Sequence, residues 1–156
     1  PERFVTGIAG KCDFSIVTVS KKGLSGAVGT LRAILEVFEN NSIPVAHTPS
    51  GIDCISLAMP TEALTPNQYS LLDELRSEIR PDSIQINDHI AVIAVVGRKM
   101  AFRVGTSGKI FAALGKAGIN IRMISQGPDE QAIILGVDNK DYADAIRVLY
   151  NNAFVK

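Results

Sequence analysis

Tryptophan is absent from the 156 residues, and aromatic residues make up only 6%. So few flat side chains argue against a surface built to stack nucleic-acid bases. Net charge is also lacking: 16 Lys and Arg balance 16 Asp and Glu. No global field therefore draws in nucleic acid or an anionic membrane. Cysteine is scarce, with Cys12 and Cys54 standing far from any second Cys or His at metal-ligand spacing. No metal site is expected, and two free thiols fit a reducing, cytoplasmic setting, with a single bridge as the alternative. His47 and His89 are the two histidines, neither in a nucleophile-like context, and each reads as a partly solvated side chain. Long apolar runs are missing too. The longest, Ile90 to Gly97, is the length of a strand, so neither a signal peptide nor a membrane span is expected. The first residue is Pro1 rather than Met, and the chain reads as a fragment excised from a longer protein.

What is present is an ordinary globular balance, 46% hydrophobic and 21% charged. A chain of this length buries about two-thirds of its unfolded surface, enough for one domain or two small ones without disulfide staples. Its strongest internal signal is a repeat. Gly29 and Gly105 differ by 105 − 29 = 76, and the same offset relates Thr30 to Thr106, Ile34 to Ile110, Ile43 to Ile119, Gly51 to Gly127 and Asp53 to Asp129. Val19 with Val95 and Val28 with Val104 obey it as well. The matches fall on turn glycines and apolar positions, the pattern of a duplicated unit.

Each copy reads alike. Phe14 to Val19 is β-branched and apolar, hence a strand. A glycine-bearing loop, Lys21 to Gly29, leads into a helix whose apolar face is read as Val28, Leu31, Leu35 and Phe38. Ile43 to Thr48 and Cys54 to Met59 are two further strands. Thr65-Pro-Asn-Gln68 has the form of a capping box, opening a helix that Pro81 ends. Ser83 to Asn87 is a short strand. The second copy repeats the order with strand Ile90–Val96, a helix near Gly108–Ala117, strands Ile119–Ser125 and Gln131–Val137, and a helix capped by Asp141, again at offset 76 from Thr65. It lacks a final strand, while Phe4 to Ile8 is a strand belonging to neither copy. An open sheet position exposes unpaired backbone groups. The N-terminal strand is therefore expected to fill the vacant place. The fold class expected is α+β: two ferredoxin-like βαββαβ modules with antiparallel sheets and helices on one face. Residues 14–88 would form the first, inserted into a second made of 89–156 plus the strand at 3–10.

Chemistry is scarce. Thr106-Ser-Gly-Lys109 fails the phosphate-loop pattern, because Arg103 and Ile110 stand where glycine and Ser or Thr are needed. Gly97-Arg-Lys99 lacks the later glycines of a dinucleotide fingerprint. Asp73-Glu74 and Asp129-Glu130 read as solvated rather than as an opposed acid-base pair. No catalytic residue, cofactor or metal is expected. What remains is the loop that opens a helix at Gly29-Thr30. Its free backbone N–H groups favour a carboxylate, and carbonyls of Pro44-Val45-Ala46 could take an ammonium, a pairing suited to an amino acid. The alternative is that the glycines serve the turn alone.

The doubled unit resembles the paired ACT domains of aspartate kinases. Val45-Ala-His-Thr-Pro-Ser-Gly-Ile-Asp53 is similar to their first ACT domain, above all in the lysine-regulated group, and Ala117-Gly-Ile-Asn-Ile-Arg-Met-Ile-Ser-Gln-Gly127 to their second. Phe4 to Ile8 resembles the strand opening that regulatory half, and Tyr150 to Phe154 its C-terminus. The resemblance implies a parent enzyme that phosphorylates the side-chain carboxylate of aspartate with ATP and Mg²⁺, at the start of lysine, threonine and methionine synthesis. It implies a regulatory fragment without the kinase motif, partnered by its own kinase domain and by a second copy in a homodimer. By alignment the effector pocket would use Leu24, Ser25, Gly29, Thr30 and Leu31, with backbone from Pro44 and Val45. Asp53 is the candidate for the effector's ammonium, or else a turn-capping Asp. Lysine is the effector expected first. Relatives that sense it tend to carry an acid where Ala46 stands, and threonine, needing no second carboxylate, is the alternative. A threonine-sensing pair from a bifunctional aspartate kinase/homoserine dehydrogenase, or a non-enzymatic interaction module, would be the other readings.

Overall fold

In a computed structural model, residues 5–98, 103–128 and 131–153 are described. The elements are β1 (Gly7–Ser20), α1 (Thr30–Asn40), β2 (Ser50–Gly51), β3 (Cys54–Pro60), α2 (Thr61–Leu64), α3 (Gln68–Glu74), β4 (Ser83–Val96), α4 (Thr106–Lys116), β5 (Ile121–Ser125), β6 (Ala132–Asp138) and α5 (Tyr142–Ala153). The class is α+β with antiparallel strand pairs. The chain divides into two compact units, one of residues 13–88 and one of residues 1–12 with 89–156.

Strand pairs read as separate in sequence are single strands here. β1 begins at Gly7, within the predicted strand at 4–8 (whose Phe4 lies outside the described residues), and runs unbroken through that at 14–19, while β4 runs through those at 83–87 and 90–96. Each passes from one unit to the other at a left-handed residue, Asp13 at φ 65° and His89 at φ 61°. These two are themselves 76 apart. A positive φ re-aims a strand without ending it, and Asp and His tolerate that region better than most side chains.

In the 13–88 unit, alternate residues of β1 and β3 (Val17 and Val19; Ile55, Leu57 and Met59) point to one face, where Ile34, Val37 and Phe38 of α1 and Leu64, Leu71, Leu75 and Ile79 of the second helical segment cover them. In the other unit Ala91, Ile93 and Val95, with Ile133, Leu135 and Val137, meet Ile110 and Leu114 of α4 and Ala145 and Leu149 of α5. Val5 joins that second cluster, with Ile8 and Cys12 packed against it, and Thr6 N–H donates to Val96 O at 2.7 Å. Gly10 lies so close to α5 that an added Cβ would stand 2.7 Å from the Tyr142 ring.

The repeat survives in atomic detail. Gly29 and Gly105 start their helices at φ 83° and 84°. Both helices end in a Schellman turn: Ile43 N–H reaches Phe38 O and Ile119 N–H reaches Leu114 O, each at 3.0 Å. The left-handed residue is Ser42 in one and Gly118 in the other. After Asp53 the offset slips. Phe14 pairs Pro60 and Ile90 pairs Asp138, so the third strands are related by 138 − 60 = 78. The match of Asp141 to Thr65 at 76 is therefore out of register. Thr65 does not cap by its side chain. The second helical segment begins at Thr61, and Thr65 Oγ1 donates back to Thr61 O at 2.9 Å from within it.

Two further differences concern the first unit. The predicted strand Ile43–Thr48 is reduced to one bridge, His47 to Ala58. Pro44 and Pro49 flank it and supply no N–H to a ladder. The apolar face assigned to α1 is also the wrong one except at Phe38. Val28 is fully exposed, Leu31 and Leu35 are 47% and 37% exposed, and Ile34 and Val37 turn inward instead. α1 is apolar on two sides, and only one of them is spent on the core.

Candidate functional site

The loop before α1 and the turn before β3 meet in the 13–88 unit. Leu24–Gly26 forms one 3-10 turn after Gly23, whose φ of 81° lets the chain reverse. β2 and β3 make a short hairpin with Gly51 opposite Cys54, and Asp53 at its bend is left-handed at φ 54°. A reciprocal clasp joins the two. Ser25 N–H donates to Asp53 Oδ1 at 3.2 Å, and Asp53 N–H donates to Ser25 Oγ at 2.9 Å. Lys21 N–H adds a third bond, to Asp53 O at 3.0 Å. Asp53 Oδ1 thus caps the loop at Ser25, the part given above as the alternative to holding an ammonium, while Oδ2 stays outside the clasp.

Other predicted positions divide between pocket and core. Leu24 is 5% exposed and Val45 packs against the buried cluster, so only their backbones could face a ligand. Pro44 is exposed and Thr30 half-buried. No side chain caps α1, which leaves its first N–H groups for water or an anion. Gly29 and Leu31 line a shallow groove along the outer face of α1 with Arg32, Leu35, Glu36 and Glu39. Sequence reasoning passed over Leu35, Glu36 and Glu39 because the helix was given a single apolar face. It also passed over Lys21, whose signal was only a Lys-Lys pair after a strand.

His47 sits on the bridge to Ala58, and desolvation by burial lowers its pKa from the ordinary 6.5. Among the described residues no group of three or more His, Cys, Asp and Glu could hold a metal ion. No helix among them is long and apolar enough to cross a membrane. The matching turn of the second copy, at Asp129, lies outside the described residues.

The comparisons with known proteins agree with this geometry. A model of the ACT domain matches residues 93–153, in the second repeat. Aspartokinase 3 of Bacillus subtilis is 30% identical over 151 residues, 96% of this chain but 33% of that protein. The crystal structure of the Clostridium acetobutylicum aspartate kinase superposes with a TM-score of 0.91 at 39% identity, over 97% of this chain and 35% of that one. A structure of aspartokinase alpha and beta subunits gives 0.82 at 28% identity, over 96% of this chain and 98% of that one. Two half-wound α+β repeats, each opening a helix on a left-handed glycine, belong to the class of ACT-domain proteins. Within that class the chain is similar to the C-terminal ACT region of aspartate kinases. It spans about a third of the length of the Bacillus enzyme.

Proposed function

We propose that the chain is the feedback-regulatory part of an aspartate kinase and that its 13–88 unit binds an end-product amino acid. The observation that carries this is the Ser25–Asp53 clasp beside the uncapped start of α1. The helix start offers N–H groups to an α-carboxylate. Asp53 Oδ2 and the carbonyls near Pro44 offer acceptors to an α-ammonium. The pocket would be made of Leu24, Ser25, Gly29, Thr30 and Leu31 on one side and Pro44, Val45 and Asp53 on the other. Lysine is the effector we favour. Ala46 supplies no acid, but Glu36 and Glu39 lie in the same groove as Gly29 and Leu31 and could meet a second ammonium. Threonine is the second reading.

On this reading the 13–88 unit is a module inserted in the other, which the N-terminal strand completes, and the pair partners a kinase domain in the cytoplasm. ATP and Mg²⁺ would be held by that kinase domain. The exposed Val28, Leu31 and Leu35 would meet a second copy in a homodimer. Inhibition would follow from unequal affinity of the effector for two arrangements of the enzyme, with a coupling of about 1–3 kcal/mol. Isothermal titration of the chain with lysine and with threonine tests the reading. Heat with lysine is expected. Heat with threonine alone reverses the order of effectors, and heat with neither refutes the site.

A further inference from the structure

We infer that Lys21 is a positioning residue that locks the Ser25–Asp53 loop to the end of the second helical segment; the inference rests on the amino-acid site just proposed. Lys21 is the first residue after β1, and its side chain is partly buried. Its Nζ donates to Ile79 O at 2.6 Å. Ile79 is the last residue of the π-turn Leu75–Ile79 that closes the segment begun at Thr61, and Arg80 ends it in the left-handed conformation at φ 53°. A helix end carries carbonyls without internal partners and the negative pole of its dipole, so an ammonium there is held by charge as well as by its bond. π-turns are rare and occur often at functional sites.

The same residue holds the ligand loop from its backbone, through its N–H bond to Asp53 O. The next residue repeats the tie: Lys22 N–H donates to Asp82 Oδ2 at 2.7 Å, and Asp82 N–H returns to Ser20 O at 2.8 Å. Residues 20–25 are thus pinned to the turn at Asp53 on one side and to the helix end and Asp82 on the other. Lys21 is bonded to both by its own atoms. Its loss frees the loop at the point from which Asp53 is held. A ligand that draws on Asp53 and Ser25 in turn pulls on Ile79 through Lys21, which gives the site a connection to a second element.

The test uses the full 156-residue chain as wild type, Lys21→Met and Lys21→Arg. Met keeps the apolar stem and deletes the ammonium, while Arg restores a cation. Amide exchange is measured without ligand, and titrations are run with lysine and threonine. The expected result is at least about tenfold faster exchange at Ser25 and Asp53 in Lys21→Met, with smaller changes at Leu57 and Ile93, a weaker affinity by a similar factor, and recovery of both in Lys21→Arg. A merely stabilising residue would lower the melting temperature and speed all four amides alike, and that result overturns the inference. Unchanged exchange at Ser25 and Asp53 overturns it as well. If wild type binds neither amino acid, the effector reading fails, and the exchange comparison alone decides the role of Lys21 in holding the loop.

Discussion

Replacing Gly29 and Gly105 by alanine, one at a time, separates what the repeat shares from what only one copy does. Both glycines precede a helix in nearly the same conformation, at φ 83° and 84°, and an added Cβ meets no atom within 4 Å at either. No steric clash therefore enters, and the cost is conformational. Holding an L-residue in the left-handed region costs about 1–2 kcal/mol. The alanine chain also has less freedom to lose on folding, which returns about 0.4–1 kcal/mol. The expected net loss is on the order of 1 kcal/mol in each variant, or about 2–4 °C in melting temperature for a chain of this size melting as one unit. Calorimetric melting measures that. Titration with the effector then divides the pair: Gly29→Ala should weaken binding by about tenfold or more, since its Cβ enters the open side of the site, and Gly105→Ala should leave binding unchanged. Stability losses differing by more than about 1 kcal/mol would refute the structural equivalence. Equal binding losses would refute the division of labour.

The other predictions follow the same elements. Leu57 and Leu135 are fully buried at equivalent places in β3 and β6. Alanine at either should cost about 2–5 kcal/mol by chemical denaturation, and a large asymmetry would mean that the third strands are not equivalent. Gly10→Ala sets a Cβ 2.7 Å from the Tyr142 ring and 3.1 Å from Val92 O. It should lower hydrogen-exchange protection at Ile93 and Leu135 by about 1–3 kcal/mol and leave Leu57 protected, whereas an even loss would contradict the packing of the N-terminal strand with the 89–153 residues. His47 has its pKa lowered by burial, so the unfolded chain takes up its proton first as pH falls. Its contribution to stability is complete above pH 6.5 and is lost below that value until the folded form also protonates. His47→Met, which installs the residue found at the equivalent position 123, should flatten this part of the stability–pH curve.

Much of this architecture is legible in the residues. Turn glycines and β-branched runs mark the strands and helix starts, and the offset of 76 carries through to matched dihedral angles and matched Schellman turns. What was not legible has physical causes. Met59-Pro60 reads as the end of a strand, which hides the helix starting at once at Thr61. Two residues inserted between Asp129 and β6 shift the register to 78 without a marker, since apolar strands of period two match themselves at either even offset. α1 carries apolar residues on two sides, and periodicity alone does not say which side the core takes. Asp13 and His89 look like breaks because polar residues interrupt apolar runs, yet the strands pass through them. At the site, Gly29 could be named from its type and Asp53 from the family resemblance, but the clasp with Ser25 and the reach of Lys21 to Ile79 join residues distant in sequence, and only the fold brings them together.

On the function proposed above, the 13–88 unit senses an amino acid and its counterpart does not. Backbone amide shifts followed by NMR during titration with lysine, and separately with threonine, test it most directly. Shifts are expected to concentrate at residues 21–31, 45–46 and 53, with the matching residues 105–107 and 121–122 unmoved. Shifts centred on 103–122, or none with either amino acid, would contradict it.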